Sequence, residues 1–200
     1  MSFLACPRCL TGMGEHEPGC LRAYGFGGGV VEDPETAAAM GYQLVDVLKD
    51  RPRVRQRLKD QVWLLVAQAI SVLSTCPKRS VGCVLVDQHG KVLSTGFNGV
   101  AAGRPHCIDA NCPGVGSFSG QLLYTCEAVH AEANALLQCR DTSLIHTVYC
   151  TDSPCHICVN LLLNTSAVRL VFAREYPHPY SRKLWEQAGR EWLQTGDTAK

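Results

Sequence analysis

The stretch HTVYCTDSPCHICVNLLLNT, residues 146–165, decides how this chain is assembled. Its first half, HTVYCTD, is a short run rich in β-branched and aromatic residues, the composition of a buried strand. Pro154 stops the strand, and CHICVNLLLNT then reads as a helix. The chain therefore passes from strand to helix across Ser153, Pro154 and Cys155. Strand, turn and helix in this order is the unit from which α/β proteins are built.

The same alternation continues on both sides. Downstream, VRLVFA (168–173) reads as a strand, SRKLWEQAG (181–189) as a helix ended by Gly189, and EWL (191–193) as a short edge strand before a frayed end. Upstream, VGCVLVD and KVLSTGF are two β-rich runs joined by QHG, a hairpin signal. A long helix precedes them from about Val54 to Ser74, with Leu58, Val62, Leu65, Val66, Ala69, Ile70 and Leu73 predicted on its buried face. A further helix is expected from about Ala128, in YTCEAVHAEANALLQC, with Glu127 near its start. These elements predict an α/β fold: a three-layer α/β/α sandwich around a central mixed sheet of about five strands. Residues 1–50 read as a Cys-rich extension with a helix over 34–50 behind the turn-rich GFGGGVVEDP, and residues 51–195 as the main domain.

Composition narrows the function. Nineteen Lys and Arg against eighteen Asp and Glu leave a net charge of +1, and aromatic residues make up 7 %. A protein that tracks a phosphate backbone needs a basic excess and stacking residues, so nucleic acid is not the expected partner. No run approaches a membrane span, and the first residues lack the basic start and apolar core of a signal peptide. The expected compartment is the reducing cytoplasm. Twelve cysteines there point to metal binding more than to disulfides. Cys83, Cys139 and Cys150 sit in apolar runs and read as small buried hydrophobes.

The cysteines of SPCHIC are three apart at a helix start. The unpaired N–H groups of a first turn stabilise thiolates, and this spacing puts both sulfurs on one side. That suits a redox pair or two zinc ligands. The segment VHAEANA supplies the missing partners. His130 offers a nitrogen, and one His with two thiolates leaves a tetrahedral zinc an open position. Glu132, two residues on, can stand over that position and move protons. H-x-E followed by P-C-x-x-C is the pattern of zinc-dependent nucleobase deaminases. The expected chemistry is hydrolytic: zinc activates water, and Glu132 takes its proton, then protonates the ring nitrogen and assists the departure of ammonia.

With these residues in view, the chain resembles the deoxycytidylate (dCMP) deaminase family of the cytidine deaminase-like superfamily. The resemblance covers roughly residues 60–190 and rests on CPKRSVGCVLV, LSTGFNGVAAGRPHC, CEAVHAEANAL and VYCTDSPCHICVNLLLNTSAVRLVF with the Tyr that follows. It implies conversion of dCMP to dUMP and ammonia, feeding thymidylate synthesis. It also implies substrate contacts from Asn98, the backbone N–H of Ala131, Ser153 and Pro154, with Arg79 reaching a phosphate. A second, structural zinc is implied at Cys76, Cys107 and Cys126, completed by His106 or Cys112. Relatives are often oligomers, hexamers among them, regulated by dCTP and dTTP, and the loop 99–120 is where such a regulator is expected.

The N-terminal CPRCLTGMGEHEPGC lies outside the resemblance. Cys6, Cys9, His16 and Cys20 have the order of a small zinc knuckle, expected to be structural or to serve an oligomer contact. Two other readings stay open: a deaminase of dCTP, a 5-modified cytosine nucleotide, single-stranded nucleic acid or tRNA, and a zinc-scaffolded binding module without catalysis. The presence of Glu132 argues against the last, because a purely structural site has no need of it.

Overall fold

A computed structural model describes residues 23–24, 30–31, 51–109, 126–176, 178 and 180–195 of the chain. Two compact units, Met1–Gln56 and Arg57–Lys200, divide it. In the first, β1 (Ala23–Tyr24) and β2 (Val30–Val31) form a small antiparallel ladder. The helix expected over 34–50 lies outside the described residues.

The rest begins with α1 (Arg51–Ser71), which runs into the second unit. The hairpin β3 (Gly82–Val86) and β4 (Val92–Phe97) follows, turning at Gly90 with φ +81°. A short ladder joins β5 (Gly99–Val100) to β6 (Ala128–Val129). Then come α2 (Ala131–Gln138), β7 (Thr147–Asp152), α3 (His156–Leu163), β8 (Arg169–Arg174), α4 (Ser181–Gln187) and β9 (Glu191–Gln194).

The central sheet has five strands in the order β4-β3-β7-β8-β9. The first two pairings are antiparallel and the last two parallel, so the sheet is mixed, as expected. Side chains alternate between its faces. Val84, Val86, Tyr149 and Val171 meet Leu64 and Ala67 of α1 on one face. Cys83, Leu85, Val148, Cys150, Leu170 and Phe172 meet α2, α3 and α4 on the other. These are the three layers predicted from the alternation.

Two expectations are corrected. The buried face of α1 carries Asp60, Leu64, Ala67 and Ser71. Of the predicted stripe, Leu58, Val62, Leu65 and Leu73 are exposed, while Val66 and Ile70 are half-buried. The physical reason is close approach. Gly82 leaves no room for a Cβ against the backbone of Ala67 and Ser71, so the helix lies on the sheet through its smaller residues. A helix with two apolar stripes does not reveal by period which one faces inward. The helix also ends before Cys76, which lies in the following loop. The second correction is that α2 starts at Ala131, because Ala128 and Val129 are extended in the ladder with β5.

Buried ion pairing ties α1 to the sheet. Arg169 reaches Asp60 with two N–H groups, 3.2 and 3.1 Å, and the Tyr149 hydroxyl donates to the same carboxylate at 2.7 Å. At the far end, Arg190 donates to the carbonyls of Leu162, Leu163 and Thr165, capping the C-terminus of α3. No helix among the described residues is long and apolar enough to cross a membrane.

Candidate metal centre and active site

The centre is built where two helices begin. His130 is the N-cap residue of α2 (φ −70°, ψ 154°) and Cys155 is the N-cap of α3 (φ −69°, ψ 167°). Neither side chain caps its own helix. Both turn toward the same point, leaving the helix N–H groups to set a positive field there. Cys158 follows one turn into α3.

His130 Nδ1 stands 3.4 Å from the sulfur of Cys155 and 3.3 Å from that of Cys158. In a tetrahedral zinc site, Zn–N and Zn–S bond lengths place nitrogen and sulfur about 3.5 Å apart. The donor atoms of the three residues all lie within 4.8 Å of one another, and among the described residues they form the single such set. One imidazole and two thiols are a borderline-soft donor set suited to zinc, so residues and geometry both fit that ion. Three protein ligands leave a fourth position for substrate chemistry.

The electrostatics suit this role. Cys155 is pulled down to about 3, by the hydrogen bond from Cys158 first and by His130 among the further causes. Cys158 is driven up, first by that shared hydrogen bond and then by burial. The hydrogen bond to Cys155 raises His130. Glu132, in the first turn of α2, is 4 % exposed. Burial lifts its carboxyl to about 7, opposed by its own backbone N–H and by His130. A carboxyl poised near neutrality can both accept and return a proton.

Three contacts dock α2 on β4 and so fix the depth of His130 and Glu132. Ser94 Oγ donates to the Ala135 carbonyl at 2.8 Å, and Asn134 Nδ2 donates to the Phe97 carbonyl at 2.7 Å. Gly96 lies under the helix, where a Cβ would overlap the backbone of Ala131 and Ala135. The sequence reading did not single out these residues. A glycine inside the β4 run was the available signal, since glycine in a strand often marks close backbone approach.

Each of the expected substrate residues has a defined place in the fold. Asn98 is buried, with its Oδ1 accepting from Val81 N and its Nδ2 donating to the Arg79 carbonyl, both at 2.8 Å. It therefore shapes the segment before β3, and an amide retains further donor and acceptor capacity beyond these two bonds. Ala131 and Ser153 are buried, and Ser153 exchanges hydrogen bonds with the backbone of Tyr176. Pro154 is buried between Ser153 and Cys155. The Arg79 guanidinium lies 5.0 Å from the centroid of the Tyr176 ring.

The other expected zinc ligands are described only in part. Cys76, Cys107, Cys126 and His106 form no set of three within ligand distance among the described residues. His106 Nδ1 shares a hydrogen bond with Thr75 Oγ1 at 3.3 Å, and Cys107 is buried. Cys112, like Cys6, Cys9, His16 and Cys20, lies outside the described residues. Cys83 and Cys150 are fully buried partners across β3 and β7, as expected of small hydrophobes, and Cys139 is half-buried after α2.

Comparison with known proteins agrees with this geometry. The family model for the cytidine and deoxycytidylate deaminase zinc-binding region matches residues 57–174. The deoxycytidylate deaminase of Mycobacterium phage D29 is 38% identical over 123 residues, covering 58% of this chain and 94% of that protein. ComE operon protein 2 of Bacillus subtilis (strain 168) is 31% identical over 134 residues, 65% of this chain and 67% of that one. The deoxycytidylate deaminase of Saccharomyces cerevisiae is 34% identical over 119 residues, but the match spans 38% of its length. In fold, the chain is similar to the crystal structure of a dCMP deaminase from the cyanophage S-TIM5. The TM-score is 0.54 at 23% identity, over 68% of this chain and 96% of that one. Sequence, fold and centre together place this chain in the cytidine and deoxycytidylate deaminase family.

Proposed function

We propose that the protein hydrolyses dCMP to dUMP and ammonia. The observation that carries this reading is the meeting of His130, Cys155 and Cys158 beside the buried carboxyl of Glu132. The identity of 34–38% to proteins named deoxycytidylate deaminase supports the choice of substrate. His130, Cys155 and Cys158 would hold a zinc ion, which would supply Lewis-acid activation of a water. Glu132 accepts a proton from the water whose oxygen bonds to the amino-bearing carbon of cytosine, delivers a proton to the ring nitrogen, and assists the loss of the amino group as ammonia when its C–N bond breaks. Water is consumed and ammonia released, so atoms balance without a redox partner. The Ala131 N–H, at the head of α2, faces the base carbonyl. Ser153 and Pro154 wall the pocket, Asn98 contacts the sugar or phosphate, and Arg79 contacts the phosphate.

The N-terminal zinc rests on the spacing of its cysteines, outside the resemblance, and the other zinc, the oligomer and the regulators rest on the resemblance. A structural zinc draws on Cys76, Cys107 and Cys126 with His106 or Cys112, and a further one on Cys6, Cys9, His16 and Cys20. The protein works in the cytoplasm as a homo-oligomer, and dCTP and dTTP act as regulators. Ammonia release from a panel of dCMP, dCTP, CMP, cytidine and 5-methyl-dCMP tests the substrate directly. Preference for dCMP supports the proposal. Preference for dCTP or the methylated nucleotide moves the activity to that substrate, and clear affinity for single-stranded DNA at moderate salt favours a polynucleotide.

A further inference from the structure

Arg174, Tyr176 and His178, at the end of β8 and just beyond it, all meet the turn that carries the thiol ligands. Ser153 N donates to the Arg174 carbonyl at 2.8 Å. Tyr176 N donates to Ser153 Oγ at 2.8 Å, and that hydroxyl donates to the Tyr176 carbonyl at 3.4 Å. The His178 ring lies flat on the ring of His156, with centroids 4.4 Å and planes 19° apart. His156 is the first residue of α3, directly after the N-cap Cys155 and two before Cys158. The turn 153–156 is thus held at one end through Ser153 and at the other through a ring.

The two rings are anchored differently. His156 Nδ1 is buried and has no hydrogen-bond partner among the described residues, so no bond at that nitrogen orients the ring. His178 is held from its own side. Its Nδ1 accepts the Tyr180 N–H at 3.4 Å, and its ring meets the Tyr180 ring at 6.1 Å with planes at 55°. Tyr180 is the N-cap of α4, and its carbonyl accepts from Leu184 N at 2.9 Å. Tyr180, His178 and His156 therefore link the start of α4 to the start of α3, ring by ring.

The first turn of α3 has few other holds. The Cys155 side chain makes no capping bond, so the turn lacks the contact that an N-cap side chain usually supplies. Ile157, the next residue after His156, is 59% exposed. His130 stands on a different helix, and the two sulfurs meet its nitrogen only while this turn keeps its place. Stacked rings restrict one another without charge. Contacts just outside the ligands set their direction and the affinity for the ion.

We propose that His178 is a positioning residue for the metal centre: stacked on His156, it holds the first turn of α3 so that Cys155 and Cys158 stand ready beside His130 before an ion binds. The inference rests on the zinc reading of those three residues and not on the choice of nucleotide. Neither imidazole has to gain or lose a proton.

The test titrates metal-free full-length protein with cobalt(II), whose visible spectrum reports ligand geometry, and then displaces the cobalt with zinc. The signal of this centre is the part that Cys155→Ser lacks. His178→Ala should bind cobalt and zinc about tenfold more weakly and alter the cobalt spectrum. His178→Phe keeps a flat ring on His156 and should recover most of both. Affinity and spectrum equal to wild type in His178→Ala overturn the inference, and so does a His178→Phe protein as weak as His178→Ala. If His178→Ala does not fold, His156→Ala removes the other ring and has the same two outcomes. Tyr149→Phe, on the opposite face of the sheet, separates local from global effects. Affinity that falls there as far as in His178→Ala follows overall stability and overturns the inference. A wild type with no cobalt signal beyond that of Cys155→Ser overturns the zinc reading itself, and this inference with it, whatever the dCMP assay shows.

Discussion

His130 and Cys155 are each the N-cap of a different helix, and their side chains meet at 3.4 Å. A residue that would ordinarily bond to its own first turn is turned across the gap in both cases. The two helix starts are thereby joined by what the ligands hold. Zinc removal should loosen both. Cys155→Ser or His130→Ala should lose one equivalent of zinc per chain, and thermal unfolding should shift downward on chelation further in wild type than in either variant. Metal analysis and calorimetric scans read this directly. Zinc that remains in Cys155→Ser is held by other cysteines.

The close approach at Gly96 makes a second expectation. Gly96→Ala places a methyl group in the backbone of Ala131 and Ala135 and must displace α2. Overpacking of this kind costs about 1–3 kcal/mol. Because α2 carries His130 and Glu132, zinc affinity should fall together with stability. Gly90→Ala is the control: it meets no atom within 4 Å and is strained only by φ +81°. It should cost about 1 kcal/mol, leaving zinc affinity intact. Urea unfolding and a competitive zinc titration separate the two.

The Asp60, Tyr149 and Arg169 group predicts a response to alkali. Tyr149 ionises above its ordinary value of 10.0, through burial first and the Asp60 hydrogen bond next. The folded state therefore keeps the phenolic proton when the unfolded chain has lost it. Stability from this group is whole below about pH 10 and falls as pH rises above it. Tyr149→Phe should remove that part of the alkaline decline and cost about 1 kcal/mol at neutral pH, where the hydroxyl bond to Asp60 is lost. Urea unfolding of both proteins between pH 8 and 11 measures the difference.

Much of this was legible in the sequence because local and long-range signals agreed. The run from His146 to Thr165 carries a strand, a proline stop and a helix in twenty residues, and it delivers Cys155 and Cys158 to one turn. His130 and Glu132 are named by their spacing and by the need for a third ligand and a proton carrier. The orientation of α1 was not legible. Its large apolar residues make the stronger stripe, yet packing against Gly82 selects the face with Ala67 and Ser71. The start of α2 was misplaced because helix propensity continues through Ala128, whereas pairing with β5 holds it extended. The ion pair of Asp152 with Arg174 was not legible either, because it depends on the parallel register of β7 and β8.

If Glu132 moves the proton while His130, Cys155 and Cys158 hold the metal, one substitution separates the two roles. Glu132→Gln keeps the shape of the side chain and removes its basic oxygen. The measurement is ammonia release from dCMP by this variant, with zinc content determined on the same sample. The expected outcome is one zinc at the centre, as in wild type, and turnover reduced at least about a hundredfold. Turnover equal to wild type with zinc retained would contradict it.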